Sequence, residues 1–268
     1  MSATHRPPDW KHFDDFAAGI ATNRLPASEA LVGQVLPLHL PDRVLTLRPD
    51  SRHTLRWEES GEGLPARSGS DRYEAVEVAP DTWFIDLTRA ALPDEAWTVI
   101  ANTRTRRVLA VRCHILGDGQ VAGEPRVAQD FLAGTLGAGP ALAGSTAPHE
   151  TRELIGLRTF QTYSPEHTYE HTYLSSQRYA WQCLVGVQRG HGDVDQASYY
   201  KFDDQQYIFT FREYRIPVAS VFFFNFESGR STGKFLGLTG AGEISNQSAG
   251  AFMRKASMTV YPSQHEPV

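Results

Sequence analysis

Cysteine is scarce in this chain: among 268 residues there are only Cys113 and Cys183, each within an apolar stretch (VLAVRCHIL and YAWQCLVGV). Without a C-x-x-C spacing they read as buried, reduced core residues of a cytosolic protein, and a cysteine-built zinc site is excluded. Basic clusters are equally few. The net charge is −5, and the densest positive run, Arg104 with Arg106 and Arg107, reads as a solvated hairpin end. Nucleic-acid binding, which relies on a basic field, is therefore not expected. No uninterrupted apolar run approaches the ~20 residues that a membrane helix needs. The longest, around Val218–Phe226, fits a buried strand, and the first residues, MSATHRPPDWKHFDD, lack the apolar stretch of a signal peptide. A cytoplasmic location is the expectation. Nucleophile elbow, phosphate loop, dinucleotide fingerprint and paired-carboxylate motif are all missing. The glycines of Gly237–Gly242 (GLTGAG) have no strand–helix context, so no cofactor is expected.

Aromatic and β-branched residues are abundant. Hydrophobic residues make up 41% and aromatics 11%, too much apolar surface for a disordered chain. Apolar positions Phe13, Phe16, Ala17 and Ile20 predict one short amphipathic helix over Trp10–Ile20. Beyond it nearly everything reads as strands. They are Thr54–Trp57, Tyr73–Val78, Trp83–Leu87, Trp97–Ala101, Val108–Leu116, His167–Leu174, Tyr179–Val187, Tyr207–Arg212, Val218–Phe226 and Thr232–Leu238. Turn signals separate them at Pro80-Asp81, Gly117-Asp118-Gly119, Asp203-Asp204 and Ser228-Gly229. The fold class is all-β, a sandwich or a barrel. A Gly-, Ala- and Pro-rich stretch between Ala128 and Pro148 has the composition of a linker. It divides the chain into an N-terminal unit (1–127, with the leading helix), the linker (128–148) and a C-terminal unit (149–268). Sliding the sequence by 124 residues lays Trp57 on Trp181, Trp83 on Tyr207, Ile85 on Phe209, Val99 on Phe223 and Arg106 on Arg230. Two copies of one antiparallel unit, each able to close a small barrel around one ligand, would account for this.

The most unusual segment is YSPEHTYEHTYLSSQRYAWQC, Tyr163–Cys183. On a strand, His167, Tyr169, His171 and Tyr173 share one face. Pointing inward they make a polar, π-rich wall for an aromatic or conjugated ligand; pointing outward they make a wet surface or a subunit contact. The H-x-x-x-H spacing of His167 and His171 would suit zinc on a helix, but on a strand ~13 Å of rise separates them, so no metal site is expected. In YIFTFREYR, Tyr207, Phe209, Phe211 and Glu213 share a face and Arg212 lies on the other. Glu213 is either at the barrel mouth in water or inside with a raised pKa, where it could serve as a general acid or base.

Four stretches, YSPEHTYEHTYL, YAWQCLVG, YIFTFREYRIP and GRSTGKFLG, resemble the MoaF-like family, named as molybdenum cofactor biosynthesis protein F. LRWEES followed by YEAVEVAPDTWFIDL resembles its N-terminal pattern. The resemblance spans most of Leu31–Pro262 and implies two tandem lipocalin-like (calycin) barrels. It brings no pterin- or molybdate-binding motif with it. The family is also distantly similar in fold to phenolic acid decarboxylases, cofactor-free barrels that use Tyr, Arg and Glu, although no stretch here matches their motifs. The function expected is thus cofactor-independent lyase, isomerase or cyclase chemistry on a small aromatic or hydrophobic molecule in the C-terminal barrel, the N-terminal one supporting it. His171, Tyr173 and Glu213 are the expected catalytic residues. His167, Tyr169, Trp181, Tyr207, Phe209, Phe211 and Arg212 are the expected substrate contacts. His171 is favoured as proton carrier because histidine ordinarily titrates near neutrality. The alternatives left open are a non-catalytic small-molecule binder and a structural or regulatory homo-oligomer.

Overall fold

A computed structural model describes residues 9–117 and 123–268; Asp118 and Gly119, part of one expected turn, lie outside the described residues. A five-residue helix, α1 (Phe13–Ala17), leads the chain. It is shorter than the predicted Trp10–Ile20 because turns take over beyond Ala17. The N-terminal barrel consists of β1 (Leu36–His39), β2 (Val44–Pro49), β3 (Thr54–Gly61) and β4 (Leu64–Ala79), then β5 (Thr82–Arg89), β6 (Leu92–Asn102), β7 (Arg107–Ile115) and β8 (Val127–Leu136). It closes where β1 pairs with β8, Leu38 opposite Leu136. The two-residue β9 (His149–Glu150) adds to the outside of the second sheet. That sheet comprises β10 (Leu157–Ser164), β11 (His167–Tyr173), β12 (Arg178–Val185) and β13 (Gly192–Asp203), followed by β14 (Gln206–Arg212), β15 (Val218–Asn225), β16 (Arg230–Leu238) and β17 (Ile244–Met258). It closes through the antiparallel pairings of β10 with β17 and of β12 with β13. Two tandem antiparallel barrels and a short leading helix are the architecture expected.

Alternation explains why many of these strands form. In β3 every second residue, Leu55, Trp57 and Glu59, is buried, the mark of a sheet with one wet face. In β15 every residue is buried, as its run of phenylalanines requires. The stretch read as a linker is corrected: it contains most of β8, whose Gly and Ala residues are small rather than flexible. Gly134 shows why, since a Cβ there would lie 2.2 Å from the His39 carbonyl oxygen of the neighbouring strand. Nor is Arg106 a solvated hairpin residue: its guanidinium donates to the carbonyls of Leu136 and Ala138.

The duplication extends to individual hydrogen bonds. Trp57 Nε1 donates to Asp71 Oδ2 at 2.8 Å and Trp181 Nε1 to Asp195 Oδ2 at 2.8 Å. The other oxygen of each aspartate accepts a backbone N–H, from Ala90 and from Tyr214. All three pairs obey the shift of 124. Beyond the β5–β6 and β14–β15 hairpins it becomes 123, because the first hairpin is one residue longer. Asn102 caps the turn that Thr105 closes, and Asn225 caps that of Ser228. The pairings expected for Val99 and Arg106 are therefore corrected: Val99 matches Phe222, and Arg107 matches Arg230.

The leading segment belongs to the C-terminal unit through Arg24, where the sequence reading put it with the N-terminal barrel. It crosses one end of the C-terminal barrel and touches all four hairpin connections there. Asp9 meets His191 at 3.0 Å after β12. Trp10 lies under Arg215 after β14, Asp14 accepts the Gly240 N–H after β16, and Gly19 sits so close to His167 that a Cβ would lie 2.0 Å from the ring. The Ile20 carbonyl then accepts the Gly250 N–H of β17.

Candidate functional site

Beneath that segment the barrel holds a small cavity. Phe16 and Ile20 cover it; Tyr163, Tyr169, His171, Tyr179, Trp181, Phe211 and Phe235 form its walls; Gln188 and Glu213 supply polar atoms. Its free volume is about 30 Å³, room for a water-sized occupant. Adjacent strands position the walls: β11 and β12 set His171 directly opposite Trp181. The alternation that puts Tyr169 and His171 inside also puts Tyr179, Trp181 and Cys183 there.

Burial shifts both His171 and Glu213 toward their uncharged forms. His171 is packed among the rings of Tyr179, Phe209 and Tyr173, with centroids at 5.3, 5.8 and 6.3 Å. Burial lowers its pKa to about 3, and its Nδ1 has no hydrogen-bond partner among the described residues. The expectation of a histidine titrating near neutrality is thus corrected, because an imidazolium here would give up its water for aromatic carbon. Glu213 is 6% exposed. Burial first, and the nearby Asp195 and Asp193 second, hold it well above the usual carboxylate range. Asp195 is itself raised to about 6 by burial, against the lowering effect of its bond from Trp181. Tyr169 donates to Gln188 Oε1 at 2.7 Å, which orients both at the cavity edge.

Of the ten residues singled out from the sequence, the cavity brings together Tyr169, His171, Trp181, Phe211 and Glu213. The others lie elsewhere. Tyr173 is fully buried deeper in the barrel, its hydroxyl 3.1 Å from Thr159 Oγ1, so it does not face the cavity as expected. Phe209 packs in the same layer, 5.2 Å from Tyr173 and 5.3 Å from Phe224. Tyr207 reaches Glu153 at 2.7 Å, away from the cavity. His167 is half-buried beside Ser164 and Gly19, and Arg212 turns outward to Gln196. Tyr163, Tyr179, Gln188, Phe235 and the covering residues Phe16 and Ile20 were not anticipated. Of these, Tyr179 shares its strand face with Trp181 and was within reach of the alternation argument.

The N-terminal barrel has a recess of its own. Its corresponding end is filled by charge: Arg89 stands where Glu213 does, Glu59 where Cys183 does and Arg43 where His167 does. The recess there, about 160 Å³, is larger and more polar than the cavity of its twin.

Residues 8–116 match the model of the MoaF N-terminal domain and residues 148–259 that of the MoaF C-terminal domain. Protein MoaF of Klebsiella aerogenes is 31% identical over 252 residues, which cover 90% of each chain. Among solved structures, a proposed β-lactamase from Burkholderia vietnamiensis is similar over 40% of this chain and 99% of its own, at 11% identity and a TM-score of 0.34. The DNA polymerase III β chain of Streptococcus pneumoniae is similar over 88% and 80%, at 7% identity and 0.15. At such scores neither likeness bears on function.

Proposed function

The chain belongs to the MoaF family, and from the chemistry of its C-terminal barrel we propose cofactor-free proton transfer on a small, uncharged aromatic or conjugated molecule. The reaction would be of the isomerase, lyase or cyclase type. The observation that carries this reading is the placement of Glu213, whose carboxyl is pushed toward its protonated form, and His171, whose imidazole is pushed toward its neutral form, on the wall of one aromatic cavity. An acid kept neutral by an apolar site can donate a hydrogen bond or a proton to a substrate oxygen. For a carbonyl substrate, the His171 imidazole would take the proton from the adjacent carbon and Glu213 would give its own to the carbonyl oxygen. The C–H electron pair becomes the enol double bond, and the carbonyl π pair becomes the new O–H bond. His171 would then return its proton to a different carbon while the enol O–H proton goes back to Glu213, which restores both residues and completes an isomerisation. Trp181, Tyr169 and Phe211 would stack on the substrate. The cover formed by Phe16 and Ile20 would shift on entry, since an organic ligand exceeds the free volume.

A non-catalytic carrier of the same molecules is the second reading, favoured by the close aromatic packing around the small cavity. Phenylacetone in D2O separates the two. For catalysis, deuterium enters the carbon next to the carbonyl, and Glu213→Gln and Asn- or Gln-substituted His171 slow this by about 10²–10⁴-fold while calorimetric binding persists. Binding without exchange leaves the carrier reading. Exchange unaffected in both variants overturns the assignment of the two residues.

A further inference from the structure

The charged recess of the N-terminal barrel lies at the end where β1–β2, β3–β4 and β5–β6 connect. Arg43, Arg67, Arg89 and Arg112 line it together with Glu59 and Glu95, and its acceptors are already engaged. Glu59 takes Arg43 Nη1 at 2.7 Å on one oxygen and Arg89 Nη1 at 2.9 Å on the other. Glu95 takes Trp97 Nε1 at 2.5 Å and Arg112 Nε at 2.7 Å. Arg89 is 2% exposed, and its guanidinium lies 4.0 Å from the Trp57 ring centroid. Yet its Nε and Nη2, both shielded from solvent, have no hydrogen-bond acceptor among the described residues. Those two N–H groups form one edge of the guanidinium, the edge that grips both oxygens of a carboxylate in parallel. Leaving a buried cationic donor pair without acceptors is costly, and folded proteins rarely do so.

We propose that this recess binds a small organic carboxylate, the exposed wall at Leu64, Pro65 and Arg67 shifting on entry so that the two oxygens take the Nε and Nη2 protons of Arg89. Arg67, exposed at the rim, supplies positive charge that concentrates anions at the opening. Leu64 and Pro65, also on the wall, offer an apolar surface to the carbon part of the ligand. A tetrahedral oxyanion can also engage this edge with two of its oxygens, but inorganic phosphate has no carbon part to place against Leu64 and Pro65. The inference does not depend on the reading of the C-terminal barrel, because it is tested by binding alone.

The test is calorimetric titration of the full chain with benzoate, propionate and inorganic phosphate, alongside the indole N–H resonances of Trp57 and Trp97. Expected are saturable binding of a carboxylate and movement of both indole signals, with weaker or no response to phosphate. Arg89→Lys keeps the charge and the partner of Glu59 but lacks the two-donor edge, and should weaken carboxylate binding at least about tenfold. Arg67→Ala, on the exposed rim, should weaken it severalfold with an unchanged thermal midpoint, which keeps the test valid if Arg89→Lys folds poorly. No carboxylate binding at millimolar concentration would overturn the proposal. So would binding that leaves Trp57 and Trp97 unmoved, or phosphate bound in preference to both carboxylates.

Discussion

Where β5 of the N-terminal barrel ends in Arg89, the matching position after β14 of the C-terminal barrel is Glu213. Both lie beside a tryptophan held by the same aspartate bond, Trp57 to Asp71 and Trp181 to Asp195. In the first barrel the buried charge is answered by Glu59 at 2.9 Å and, more distantly, Glu95 at 3.6 Å. In the second, Cys183 replaces Glu59, and burial together with the nearby Asp195 and Asp193 raises the pKa of Glu213. The frame of a duplicated barrel rests on ladder pairing and buried bonds that tolerate little change. Its mouth residues, lying where the strands end, can exchange charge for neutrality without disturbing that frame. One copy has become an ionic cluster with an unfilled donor edge and the other an aromatic cavity with two polar groups.

The largest expected difference between the two follows from Glu59. Glu59→Leu leaves Arg89 buried with only the longer contact to Glu95 and should cost about 3–5 kcal/mol in urea unfolding. Burial raises the Glu59 carboxyl, but Arg43 and Arg89 outweigh it and hold it below its ordinary pKa. Its stabilising effect is therefore present above the ordinary carboxylate range and lost as pH falls through the folded value. Glu213 has the opposite sign. Its folded pKa is raised, so above the unfolded value of 4.5 the unfolded chain sheds the proton first and stability falls as pH rises. Glu213→Gln should stabilise at pH 7 and change little at pH 4. A loss at pH 7 would mean that Glu213 is ionised and paired.

The shared tryptophan clamps should differ less. Trp181→Phe leaves Asp195, 1% exposed, without its indole donor and should cost about 3 kcal/mol, whereas the half-buried Asp71 regains water after Trp57→Phe, at about 1.5 kcal/mol. Equal costs would show that burial does not decide the strength of the clamp. His171 produces a pH effect with no counterpart in the first barrel, where Leu47 holds the matching place. The unfolded histidine charges below 6.5 and the folded one only near 3, so stability falls with pH between those values. The loss is about 2 kcal/mol at pH 5, and His171→Phe should flatten this part of the profile. The smallest effect is in the turns. Asp81 and Gln205 both adopt a positive φ, 58° and 55°, a conformation that suits glycine. Gln205→Gly should gain up to about 1 kcal/mol by thermal unfolding and Asp81→Gly less, since aspartate tolerates this region better.

Alternation of apolar and polar residues, aromatic content and turn signals were enough to make the chain all-β, twofold and barrel-forming, because each depends on neighbours in sequence. The strands that escaped notice, among them β1, β8, β13 and β17, are short, Gly- and Ala-rich or polar; they exist because barrel closure gives their backbone groups partners. That Tyr169 and His171 share one face followed from the period of two; that this face points inward was decided by barrel closure. Which inward residues reach a cavity did not follow from the period either, since Tyr173 and Phe209 obey it yet pack solid.

The pKa shifts of His171 and Glu213 were decided only by the tertiary structure. A pKa depends on how much water and which charges surround a group in space, and the sequence near His171 is as polar as its folded surroundings are aromatic. The same holds for the leading segment. Its apolar face at Phe13, Phe16 and Ile20 was readable from spacing, but which barrel it covers depends on partners more than a hundred residues away, His167, Phe235 and Gly250. Local periodicity determined the elements and the repeat. Long-range closure determined which of their side chains meet, and so where the chemistry can be.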